Sequence, residues 1–153
     1  MSEPLFRERQ SPGPLSMLVG AVFGLVLGLI TIPLSDVLAI VVAVLGAVGV
    51  PLIMILSSPV VSVSADRVRA GRASIEPAML GAARVLDREQ MQQVMGPKID
   101  ARAFRCTRGW ITEGVEVPVV DPDDPTPAWV ISLRRPEEFA AALAAAQAQR
   151  TAA

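Results

Sequence analysis

Asp121, Asp123 and Asp124 form the densest carboxylate cluster in this 153-residue chain. Hard cations take such oxygen ligands, and an EF-hand loop opens in a similar way. Here Pro125 stands where the third ligand belongs, Thr126 where the turn needs glycine, and Ser132 where the closing glutamate should be. The spacing therefore predicts a solvated, proline-stiffened loop between strands, with a metal-dependent enzyme using the Asp121–Asp124 loop as the alternative. Cys106 is the lone cysteine, which excludes an intramolecular disulfide. A thiolate nucleophile needs a base, and the chain has no histidine and no tyrosine. The commonest general base and zinc ligand are thus missing, and Cys106 reads as a buried strand residue. No phosphate loop, zinc spacing or nucleophile elbow is present. The expectation is no catalytic, cofactor-binding or metal-ligating set.

Arg67, Arg69 and Arg72 follow closely on a long apolar run and could contact anionic lipid. Arg134 and Arg135 read as a solvated rim. Trp110 and Trp129 read as core residues or membrane-interface anchors. Counting from Asp66 onward gives 12 acidic and 12 basic residues, a neutral balance without the concentrated basic face that nucleic acid requires.

These residues must be positioned by elements whose order the hydropathy pattern sets. No charge falls between Ser11 and Ser35, then comes Asp36, then none from Val37 to Ala65. About 20 apolar residues span a hydrocarbon core about 30 Å thick, so the two runs predict a transmembrane hairpin with spans at 15–34 and 37–56. Its apolar core is longer than that of a signal peptide, and no Ala-x-Ala site follows, so it reads as a retained anchor. Gly20, Gly24 and Gly28 recur at four-residue intervals and lie on one helix face, as do Ala39, Ala43 and Ala47. Such stripes let helix backbones approach closely in lipid, within one chain or between copies. Pro33 should end the first helix, Ser35 or Asp36 cap the second, and Pro51 kink the second or mark its cytoplasmic end. Neither span holds an ionisable residue, which argues against a transporter. Arg7 and Arg9 precede the hairpin and the three later arginines follow it, while the turn carries only Asp36. The positive-inside rule then puts both termini in the cytoplasm of a multi-pass cell-membrane protein.

The 1–14 segment reads as a cytoplasmic lead-in, and 60–149 as a β-rich cytoplasmic domain. Alternation predicts short strands around Val61–Val63, Val68–Ala70, Ala73–Ile75 and Val85, then 101–107, 114–120 and 128–133. Pro118 marks the 114–120 strand as an edge or a bulge. Asp87 to Gln90 matches a capping box for a short helix stopping at Gly96-Pro97, and Pro136 with Glu137 and Glu138 starts a helix through Gln149. The fold class is α+β with membrane helices: a transmembrane hairpin, then a small, mostly antiparallel β domain with a C-terminal helix.

Several stretches carry a resemblance: Arg69-Ala70-Gly71-Arg72-Ala73, Asp100-Ala101-Arg102-Ala103-Phe104, Arg108-Gly109-Trp110, Asp124-Pro125-Thr126-Pro127-Ala128-Trp129 and Ile131 to Glu138. With these the chain resembles an uncharacterised actinobacterial family of membrane proteins with two N-terminal transmembrane helices and a domain of unknown function. The strand plan resembles a pleckstrin-homology-like domain. The resemblance implies architecture and compartment and no activity. The expected function is a non-enzymatic, membrane-anchored interaction module that binds a protein or anionic lipid. A homo-oligomer assembled through the glycine face is a further alternative.

Overall fold

The structure, a computed structural model, describes residues 4–96 and 100–151. It is α+β: two four-stranded sheets with packed helices, and two long apolar helices that form a compact unit of their own, Ser11–Ser58.

In that unit, α1 spans Pro14–Thr31 and α2 spans Asp36–Leu56, and both are long and apolar enough to cross a membrane. Pro14 opens α1, where a missing N–H is harmless. The helix stops a few residues before the expected Leu34. Pro33 has no N–H to extend the ladder, and the end tightens to a bond from Ile32 N–H to Leu29 O, 3.3 Å. Ser35 takes the extended N-cap conformation before α2 without a side-chain cap bond, and Asp36 in the first turn suits the helix dipole. Pro51 lies inside α2, which continues to Leu56. Losing one backbone bond there costs less than leaving a whole helix end unsatisfied in an apolar setting.

The other unit begins before the hairpin and resumes after it. β1 (Phe6–Arg9), β2 (Val60–Val63), β3 (Val68–Ala70) and β4 (Ala73–Ile75) form an antiparallel sheet in that order. β1 is the strand that the 1–14 reading lacks. Its partner lies beyond the hairpin, with Phe6 opposite Val63 and Arg9 opposite Val60, and Gln10 N–H bonds Pro59 O at 3.0 Å. A four-residue segment with three charges shows no hydrophobic alternation that would announce it. Gly71, at φ +62°, takes the first place of the two-residue β3–β4 turn, which a side chain would strain.

A short 3-10 turn at Pro77–Met79 leads to β5 (Arg84–Leu86). Next comes α3 (Arg88–Met95), whose capping box forms as the sequence predicts: Asp87 Oδ1 accepts from Gln90 N at 2.8 Å, and Gln90 Oε1 accepts from Asp87 N at 3.2 Å. Pro97, the expected stop of α3, lies outside the described residues, as do the first three residues of the lead-in. β6 (Phe104–Cys106), β7 (Gly114–Pro118) and β8 (Ala128–Ser132) complete a second sheet of order β5-β7-β8-β6. β6 starts later than expected because Asp100 turns the chain, accepting from Arg102 N at 2.9 Å. β7 is central, not an edge. Pro118 is tolerated because it is the last residue of β7, past the end of the β5 pairing at Glu116. β6 and β8 run parallel, the departure from an antiparallel plan.

α4 (Pro136–Thr151) closes the unit, burying Phe139, Ala142, Leu143 and Ala146 against Val61, Val63, Val115, Val117 and Ile131. Phe6 and Phe139 meet edge to face at 5.6 Å. β1 therefore contributes to the core as well as to the sheet.

Candidate functional site

Alternation along the first sheet sends Phe6, Val61, Val63, Val68 and Ala70 inward and leaves a polar row outside. In register across four strands, that row is Arg7, Ser62, Arg69 and Ser74. Arg67 extends it, donating from Nη1 to Ser74 Oγ at 3.3 Å. A groove of about 450 Å³ lies over the row, lined by Pro4, Arg7, Val60, Ser62, Arg69 and Gly71. No described carboxylate forms an ion pair with Arg7, Arg69 or Arg72. Guanidinium groups match the paired oxygens of phosphate or carboxylate. Of the three arginines expected at lipid, Arg69 enters the groove, Arg67 flanks it, and Arg72 is exposed in the β3–β4 turn. Arg7 joins them, which sequence reasoning misses. Its only signal is a positive charge before the hairpin, and that reads as topology alone.

Beneath the row, buried polar groups fasten β1 to the domain. Glu8 is buried; its Oε1 accepts from Arg134 N at 2.8 Å, and its Oε2 lies 3.6 Å from Arg135 Nε. Arg135 also donates to Glu138 at 2.9 Å and to the Arg7 carbonyl at 3.1 Å, and its guanidinium stacks 5.3 Å from the Phe6 ring. The arginine pair is thus more than a solvated rim, because Arg135 clasps β1. Gln10 Nε2 donates to the carbonyls of Cys106 at 2.9 Å and Ser132 at 2.6 Å, bridging the ends of the parallel β6–β8 pair. Trp110 Nε1 donates to Gln10 O at 3.0 Å. Trp129 is buried against Phe104, their rings 4.8 Å apart.

The other candidate groups are engaged in structure. Cys106 is buried beside Gln10 Oε1, 3.8 Å away, and burial pushes its thiol pKa up. The aspartate loop turns its carboxylates on itself: Asp121 Oδ1 accepts from Asp123 N at 3.0 Å, and Asp124 Oδ1 from Thr126 N at 2.8 Å. Hydrogen bonds from the Thr126 side chain and backbone hold the Asp124 carboxyl below the usual carboxylate range. Among the described residues, no three His, Cys, Asp or Glu side chains converge as a metal site would require.

In the hairpin, Gly20, Gly24 and Gly28 are the buried residues of α1, and α2 fills their face. A Cβ on Gly28 would sit 2.5 Å from Ala43 Cβ and 2.7 Å from Ala39 O. One on Gly24 would overlap the backbone of Gly46 and Ala47. Gly46 belongs to this contact although it lies off the alanine stripe. Gly20 faces Val50 and Met54.

No curated protein and no solved structure matches the chain. A family model does, from residue 5 to residue 143, a range that takes in β1, the hairpin and both sheets. The chain belongs to the family described as Protein of unknown function (DUF3093).

Proposed function

We propose that the protein is a membrane-anchored interaction module: α1 and α2 cross the cell membrane as a hairpin, and the β-rich domain works at its cytoplasmic face, binding protein or anionic lipid. The β1–β2 ladder carries this reading. The two strands that flank the hairpin are hydrogen-bonded neighbours, which supports both hairpin ends emerging on one side of a bilayer. The arginines beside those ends support the cytoplasm as that side, by the positive-inside rule. Gln10 to Gly13 and Ser57 to Pro59 link the helices to the sheet.

A binding role suits side chains that are spent on structure: Cys106 in the core, and Asp121 and Asp124 on their own loop. The plan of two sheets closed by a C-terminal helix is similar to a pleckstrin-homology-like domain, from which the parallel β6–β8 pair departs. That likeness concerns fold and carries no activity.

Membrane fractionation and cysteine labelling test the proposal. The chain should stay with membranes after alkaline carbonate washing. A membrane-impermeant maleimide should label Asp36→Cys in intact spheroplasts and Asp123→Cys only in inverted vesicles. Release by carbonate, or labelling of Asp123→Cys from outside, would overturn it.

A further inference from the structure

We infer that the outward face of the first sheet binds the phosphate headgroup of an anionic phospholipid, with Arg7 and Arg69 as converging arms on either side of Ser62. The inference rests on the membrane anchorage proposed above and assigns that anchored domain a ligand.

Strand register carries the argument. Arg7, Ser62 and Arg69 are directly opposite one another on β1, β2 and β3. Neighbouring strands lie about 4.8 Å apart, so the two arginine backbones are about 10 Å apart, a gap that two extended guanidinium arms close onto one phosphate. Ser62 between them offers a hydroxyl donor, and Arg67, tied to Ser74, adds charge beside them. The groove of about 450 Å³ falls within the span of small-ligand sites, about 300–1,000 Å³. Its wall includes apolar Pro4 and Val60 together with Gly71. The arginines and Ser62 offer donors for the phosphate, and Pro4 and Val60 offer apolar surface beside them.

Two features favour a lipid over a free phosphate. The arginines are solvent-exposed, and an exposed pair holds a freely diffusing anion weakly. The groove also lies on β1 and β2, the strands tethered to the hairpin, and an anchored domain meets headgroups at high effective concentration.

The full chain, purified in neutral detergent and supplied with phosphatidylglycerol, tests the site by lipid retention in native mass spectrometry. Wild type should retain the lipid. Arg7→Gln or Arg69→Gln should each weaken retention about fivefold, and the double variant about 30-fold. The charge-matched Arg102→Gln/Arg105→Gln double variant, altered outside the first sheet, should retain lipid as wild type does. Millimolar inorganic phosphate should fail to displace it. Wild-type retention in the Arg7/Arg69 double variant would overturn the site, as would equal loss in the control, which signals general charge attraction. Displacement by inorganic phosphate would overturn the lipid as its source. Release of the chain by carbonate would instead overturn the anchorage, which the detergent measurement does not read.

Discussion

Replacing Gln10 by leucine probes how a strand before the hairpin supports a fold made after it. Gln10 is fully buried, and its Nε2 supplies both the Cys106 and the Ser132 carbonyls. Leucine has similar bulk and donates nothing, so two buried acceptors lose this donor. A buried group stripped of its partner costs about 1–3 kcal/mol. A carbonyl with a second lone pair sits low in that range, and the added apolar burial offsets part, leaving about 2 kcal/mol for the two. At about 4–8 °C per kcal/mol for a domain of this size, Gln10→Leu should lower the melting point by about 8–16 °C. The assay is thermal unfolding of the full chain in detergent, followed by tryptophan fluorescence. Trp110 donates to the Gln10 carbonyl and so reports on the same contact. Asp123→Asn, an exposed loop change, should melt with wild type. If Gln10→Leu also melts with wild type and its fluorescence is unchanged, β1 is not an integral part of the domain, and the same-side argument for the hairpin ends falls with it.

Gly24→Leu forces a side chain into the Gly46 and Ala47 backbone and should destabilise the hairpin by about 2 kcal/mol, a value typical of overpacking, read as an earlier midpoint on titration with dodecyl sulfate. Gly49→Leu, with nothing within 4 Å of its Cβ, should leave that midpoint unchanged. Asp87→Ala removes the α3 cap and should cost about 1 kcal/mol in denaturant unfolding. Because burial raises the Cys106 pKa, the thiol's contribution to stability is complete below the ordinary value of about 8.5 and is lost as pH rises through the higher folded value. Melting measured against pH should therefore fall less steeply on the alkaline side for Cys106→Ala than for wild type.

Much of the fold is legible in local pattern. The charge-free runs around Asp36 place α1 and α2, since helix length and apolarity are properties of a continuous segment. The Asp87–Gln90 box is read directly because donor and acceptor lie three residues apart. The stripe Phe139, Ala142, Leu143, Ala146 shows the buried face of α4, because helical period is set within a few turns. Strand ends are less exact. Asp100 delays β6 through a turn, and Pro118 sits harmlessly at the end of a central strand because of where β5 stops.

The candidate site divides along the same line. Arg69 is visible in sequence because it alternates with Val68 and Ala70, which marks it as the outward residue of a strand. Arg7 is not, because its place depends on a strand partner more than 50 positions away across the hairpin. The same distance hides the roles of Glu8, Gln10 and Arg135, whose partners lie at the opposite end of the chain. The apolar helices, the α3 cap and the face of each alternating run follow from sequence alone, because neighbours along the chain decide them. Only the tertiary structure decides that the hairpin is inserted between two paired strands, that β6 and β8 run parallel, and that Arg7 and Arg69 flank one serine. Those are pairings between distant segments, and the free energy that selects them arises only when the whole core closes.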